Sequence, residues 1–155
     1  MSDLAALFGG TPTVGELDQA FLLLTVASSG AVDTCLLSRM EVRPGIDGLG
    51  LAAVVASRRA RANLAARPVA TLVAVRNDEM HTLTCSVAAR VDAEGASAFA
   101  LRVTEHRRDG LGIELMPMQY RVDEKLRVAE RWDRTEKLLG MLDATHTTAP
   151  RSGRG

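Results

Sequence analysis

Aromatic residues are scarce: three Phe, one Trp and one Tyr make up 3% of the 155 residues. A core built from this chain must therefore be aliphatic and rich in alanine. Lysine is nearly absent, two against 17 arginines, and the 19 basic residues are balanced by 19 acidic ones. A dedicated nucleic-acid binder carries a basic excess that is missing here. Genome base composition produces such an arginine bias, so no function is read from it. Only two cysteines are present, Cys35 and Cys85, each in an apolar run and neither with a CxxC neighbour. They read as buried thiols in a reducing compartment, not as a disulfide or a metal pair. No run approaches the roughly 20 apolar residues of a membrane span. The start, MSDLAALFGG, lacks the basic segment and long apolar centre of a signal peptide. A cytoplasmic protein engaging neither membrane nor nucleic acid is expected. His81 and His106 have no Cys, Asp or second His at ligand spacing, so no metal site is expected. Ser28 and Ser29 lie outside any G-x-S-x-G elbow. Gly110 and Gly112 lack the third glycine of a dinucleotide fingerprint.

What is present is an ordinary soluble composition, 46% hydrophobic and 25% charged, at a length that suits one domain. A helical turn over 3–8 ends at Gly9 and Gly10. Thr13 and Glu16 then form a capping box for a short helix, 14–20. Apolar runs predict strands over 21–27, 32–42, 49–55 and 69–76, with the Asp47-Gly48 hairpin signal between the second and third. A fifth strand, 80–91, alternates, with Leu83, Cys85, Val87 and Ala89 on one face. After a turn at Asp92–Gly95 comes a sixth strand, 97–107, then a loop at 108–112. Residues 113–122, interrupted by Pro117, read as an irregular edge strand. Asp123 caps a final helix to about Leu142, whose stripe is Val128, Trp132, Thr135, Leu139 and Leu142; Trp132 reads as a core or dimer anchor. The residues from 144 to 155 lack apolar side chains to bury and read as a disordered tail. The expected fold is mainly β, a six-stranded antiparallel split barrel over residues 1–143. One helix follows strand three and another ends the domain.

Residues 57–75, SRRARANLAARPVATLVAV, carry the functional signal. Ser57 caps a helix over 58–66, and Pro68 ends it before an aliphatic strand. A helix start has unpaired N–H groups and the positive end of the dipole. Arg58, Arg59 and Arg61 crowd more positive charge there, which makes either an anion site or a capped surface helix with solvated arginines. Asn63 either ties the helix to a neighbouring segment or helps to hold a ligand. Because alternate strand residues face opposite sides, only one of Ser38 and Arg39 can point inward. Arg39 reads mainly as a solvent-facing strand charge, with a phosphate contact as the alternative.

The succession FLLLTVA, TCLLSRMEV, LGLAAVVA, SRRARANL and RPVATLVAV resembles the pyridoxamine 5′-phosphate oxidase-like, FMN-binding split-barrel family over residues 14 to about 105. The segment ERWDRTEKLL is similar to the closing helix of many of its members. The resemblance implies FMN phosphate held by Ser57, Arg58 and Arg59, with Asn63 and Ser38 as further cofactor contacts. Backbone groups of strands two and three would lie along the flavin ring. It also implies a homodimer with the cofactor at the interface and a small-molecule substrate. Anchored on Ser57, the family's Ser-Arg-Lys run falls on Ser57, Arg58 and Arg59; anchored on Leu64, Arg59 takes the arginine position and Ala60 the lysine position. The oxidase's Arg-x-Val-Leu-Leu-Lys strand is replaced by Asp33, Thr34, Cys35, Leu36, Leu37 and Ser38, and its C-terminal Arg-x-His motif is absent. The chain is therefore expected to be a flavin-dependent oxidoreductase but not a true pyridoxamine phosphate oxidase. The alternatives are an F420-dependent reductase, or a non-catalytic dimeric protein of the same fold that binds another phosphorylated or tetrapyrrole-like ligand, or nothing.

Overall fold

The computed structural model describes residues 3–9, 19–110, 112–116, 118–119 and 131–148. Among the described residues three helices, α1 (Asp3–Phe8), α2 (Arg58–Ala66) and α3 (Trp132–Thr148), accompany seven strands. The strands are β1 (Ala20–Val26), β2 (Val32–Ser38), β3 (Val42–Pro44), β4 (Gly50–Val55), β5 (Val69–Arg76), β6 (Glu79–Ala93) and β7 (Ala96–Gly110). All belong to one antiparallel sheet in the order β2-β1-β5-β6-β7-β4-β3. Its two edge strands, β2 and β3, are consecutive in the chain and joined only by residues 39–41. The sheet curls so that its edges meet at that turn. No ladder among the described residues joins them, which is the split in the barrel.

The expected second strand, 32–42, is divided because residues 38–41 form a tight turn. The Ser38 N–H donates to the Glu41 carboxylate at 2.7 Å, and the Glu41 N–H donates to the Ser38 carbonyl at 3.0 Å. That division accounts for seven strands instead of six. At the other end of the hairpin β6–β7, residues expected in a loop continue the ladder to Gly110. Of the expected edge strand 113–122, the described residues contribute one bridge, Gln19 to Gln119. The capping box at Thr13 and Glu16, most of the helix 14–20 and the first turns of the helix from Asp123 lie outside the described residues. The helix expected over 123–142 is interrupted: Arg131 has a left-handed φ of 48°, and the described helix begins after it at Trp132 and runs to Thr148, six residues past the end expected near Leu142.

Two cores divide the side chains by strand alternation. Inside the curl, Phe21 and Leu23 of β1, Leu51, Ala53 and Val55 of β4, and Phe99 and Leu101 of β7 pack with α1 and α2. On the outside, Ala52, Val54, Ala98 and Ala100 present small side chains to Leu138, Leu139 and Leu142 of α3. Both faces of β4 are thus buried, which explains its continuously apolar sequence. A bulge between Val87 and Ala89 turns Ala89 to the α3 side, away from the face it was expected to share with Leu83. Among the described residues no helix is long and apolar enough to cross a membrane.

The outer face of β2, β1 and β5 lies beyond the reach of α3. Leu22, Leu24 and Val26 of β1 lie opposite Leu36, Thr34 and Val32 of β2, while Leu22 and Leu24 face Val73 and Thr71 of β5. Val32, Leu36 and Val69 are 59, 47 and 46% exposed. An uncharged, largely aliphatic sheet face is therefore left uncovered in the single chain.

Candidate functional site

Helix α2 spans the expected residues, and local chemistry sets both its ends. The Ser57 hydroxyl accepts the Ala60 N–H at 3.2 Å, while the Ser57 carbonyl accepts the Arg61 N–H at 3.0 Å. The Arg67 N–H closes the last turn on the Asn63 carbonyl at 2.7 Å, and Pro68 cannot continue it. Ala60, Asn63 and Leu64 are buried against the barrel, and Arg58 and Arg59 project into solvent. No acidic residue stands in the first turn to offset them.

Asn63 is 7% exposed and spends both amide hydrogens on β-strand side chains. Nδ2 donates to Thr25 Oγ1 at 3.0 Å and to Asp33 Oδ2 at 2.8 Å. The other Asp33 oxygen lies 3.3 Å from Arg59 Nη1. Asn63 is thus the tie between α2 and strands β1 and β2, the first of its two sequence readings. Asp33, which the sequence offered no role, is held beside the helix start.

Ser38 is not brought to this place. It stands at the far end of β2, five residues from Asp33, a separation of about 17 Å along an extended strand. It is buried, its Oγ without a hydrogen-bond partner. Arg39 departs from the expected solvent-facing charge. It is 5% exposed and donates to the carbonyls of Val42 at 3.0 Å, Gly9 at 3.1 Å and Phe8. A guanidinium on the closing carbonyls of α1 satisfies acceptors that the helix leaves unpaired and meets the negative end of its dipole.

Ser57, Arg58 and Arg59 suit an anionic group such as a phosphate. The N–H groups of the first helical turn, two exposed guanidiniums and the dipole end all favour negative charge in one place. Asp33 opposes it, since its carboxylate already lies against Arg59. The surface clefts of about 250 and 420 Å³ lie elsewhere, beside α1 and at the start of α3, and neither is lined by Ser57, Arg58, Arg59 or Asn63. Among the described residues, Arg58 and Arg59 are exposed.

The sequence matches no protein-family model and no curated protein. Solved structures do match. An F420 reductase aligns with a TM-score of 0.51 at 14% identity, over 69% of this chain and 98% of that one. The styrene monooxygenase flavin reductase of Pseudomonas putida S12 aligns with a TM-score of 0.51 at 11% identity, over 60% of this chain and 82% of that one. The chain is a split barrel of the pyridoxamine 5′-phosphate oxidase-like fold. At these identities the likeness concerns the barrel itself, and what the barrel does has to be argued from its own side chains.

One pairing in this split barrel escaped sequence reasoning. His81 Nδ1 and His106 Nε2 are 3.0 Å apart inside the barrel mouth, with Glu79 Oε2 3.6 Å from His81 Nε2. Counting back from the turn at Glu94 and Gly95 sets Leu83 opposite His106 and His81 opposite Arg108, so the two rings are diagonal neighbours. The hairpin register was the signal that separation in sequence concealed. Among the described residues no three His, Cys, Asp or Glu side chains gather as a metal site.

Both thiols of the split barrel are free. Burial pushes Cys35 up to about 11, with the Glu41 carboxylate adding to the rise, and burial alone pushes Cys85 up to about 11. The thiolate is the reactive form, so near pH 8 only about one thiol in a thousand is poised to react. In the native protein an aromatic disulfide reagent is expected to label neither cysteine over minutes at pH 8, and to label both in denaturant. Rapid native labelling of Cys85 would contradict its placement in the core.

Proposed function

We propose that this split barrel is a flavin-type oxidoreductase that acts on a small molecule as a homodimer. FMN is the first candidate cofactor and the deazaflavin F420 the alternative. The observation that carries the reading is one juxtaposition. Exposed Arg58 and Arg59 at the start of α2 adjoin the barrel where β2 begins an uncharged, uncovered sheet face. A flavin nucleotide has the matching chemistry, an anionic tail and a flat, largely apolar ring.

In this reading Ser57, Arg58 and Arg59 hold the anionic tail, and the aliphatic side chains of β1 and β2 lie along the ring. Asn63 positions the helix by its bonds to Thr25 and Asp33. When bound, the flavin supplies hydride or electron transfer, and the protein supplies binding, orientation and exclusion of water. A second copy laid on the β2-β1-β5 face would cover Val32, Leu36 and Val69 and turn an open face into an enclosed one. The likeness to reductase structures supports the barrel as a scaffold for such chemistry. Loss of the oxidase's two basic strand residues to Asp33 and Ser38 argues against pyridoxamine phosphate as the substrate.

Parallel titrations with FMN and F420 test this, followed by a search for nicotinamide-dependent reduction of whichever ligand binds. Saturable binding of either, abolished when Leu36→Lys places a charge on the shared face, is the expected result. A protein that binds neither keeps its fold but loses this function.

A further inference from the structure

The inner face of the sheet changes character at the end of the barrel away from α2. Along β5, Leu72 and Ala74 belong to the inner core, and by alternation the next inward position is Arg76, the last residue of the strand. Along β6, Leu83 and Cys85 belong to that core, and the inward positions before them are His81 and Glu79. On β7, His106 lies opposite Leu83 and Arg108 opposite His81. Ionisable side chains thus replace the aliphatic lining at one end, a break in the pattern of the kind that marks a functional site. This end is remote from the arginines of α2, since β5 runs about 23 Å from Val69, just after α2, to Arg76.

The break coincides with a concave surface. A cleft of about 210 Å³ beside α1 is lined by Leu7, Arg76, Asn77, Glu79, His81 and Arg108. His81 is its buried wall, 5% exposed, with the His106 ring 3.0 Å away behind it. A second cleft of about 250 Å³ shares Leu7, Arg76 and Asn77 and continues along Val75, Leu115 and Met116. Neither reaches the roughly 300–1,000 Å³ of a cofactor pocket, and a short molecule lying across both fits them.

We propose that this end of the barrel is a second ligand site, which binds a small carboxylate with an apolar body. The carboxylate lies among Arg76, Arg108 and His81, and the body extends along Val75, Leu115 and Met116. A guanidinium presents a planar fork of donors that matches two carboxylate oxygens, and the Asn77 amide adds donors at the same place. Two guanidiniums against the single Glu79 carboxylate, 3.6 Å from His81 Nε2, leave the cleft net positive, which suits an anion. The site stands independently of the flavin reading above.

The experiment follows the histidine ring signals of the full-length protein by NMR while sodium hexanoate, sodium acetate or inorganic phosphate is added at constant ionic strength. Hexanoate is expected to shift the His81 and His106 signals saturably. It should bind roughly tenfold tighter than acetate, because its extra methylenes leave water. Replacing both Arg76 and Arg108 by alanine should weaken hexanoate at least tenfold, with a thermal melt reporting that this variant is folded. Met116→Gln, at a side chain 82% exposed, should shrink the advantage of hexanoate over acetate without disturbing the fold. Arg58→Ala with Arg59→Ala should leave hexanoate binding unchanged. Equal binding of hexanoate and phosphate, or shifts that survive the loss of Arg76 and Arg108, would reduce the cleft to a nonspecific cationic surface and overturn the inference. Absence of any saturable shift would overturn it as well.

Discussion

Replacing Arg58 and Arg59 together by alanine is expected to weaken FMN binding by about a hundredfold while leaving the protein folded. Hydrogen bonds to a charged group contribute roughly 1.5–3 kcal/mol apiece, so losing one guanidinium contact to phosphate from each residue reaches that range. Stability should hardly change. Arg58 and Arg59 are exposed, the Arg59 side chain at 76%, and among the described residues their one ion pair is the contact of Arg59 with Asp33. Pairs of that kind add little to folding. Two cations at a helix start also oppose its dipole, so their removal relieves a small repulsion. A fluorescence titration beside a thermal melt separates the two effects. Unchanged FMN affinity would remove these arginines from the site, whatever the fold allows.

The second large effect concerns the barrel itself. Phe21→Ala is expected to cost about 3–5 kcal/mol, a large share of the roughly 5–15 kcal/mol that holds a domain of this size together. All three phenylalanines of the chain are in the inner core, and the Phe21 ring lies 5.0 Å from that of Phe8. The inner-core side chains besides the phenylalanines are aliphatic, alanine or Cys85, and a lost ring leaves a cavity that close-packed neighbours fill only in part. Urea unfolding should show a lower midpoint with little change of slope, and Phe21→Leu should recover much of the loss. Leu36→Ala, on the uncovered face, serves as the contrast and should move the midpoint of the single chain only slightly. Equal effects from both would mean that the division between inner core and open face has been drawn wrongly.

Where a signal is local, the sequence was enough. The serine cap and Pro68 delimit α2 at residues 58–66, and the strand after it runs to Arg76 as its apolar pattern indicates. The turn that splits the expected second strand is a different case. It depends on the Glu41 side chain returning to the Ser38 N–H and on Arg39 reaching Phe8 and Gly9, some 30 residues away. No pattern of alternation encodes that reach. The bulge that turns Ala89 toward α3 is equally invisible, because a single unpaired residue reverses every later side chain without altering composition. Ser57, Arg58, Arg59 and Asn63 were legible as a group because one helix carries them all. Asp33 was legible only as the loss of a basic residue. Its pairing with Arg59 and Asn63 joins β2 to α2 across 26 and 30 residues and emerges only when the barrel has closed.

Size-exclusion chromatography with light scattering, recording protein and visible flavin absorbance together on a mixture with FMN, tests the central claim most directly. The account predicts one peak at twice the 16.6-kDa mass of the chain, carrying the visible flavin band at one flavin per chain. A colourless peak, with FMN eluting at the small-molecule position and the same outcome for F420, would contradict it.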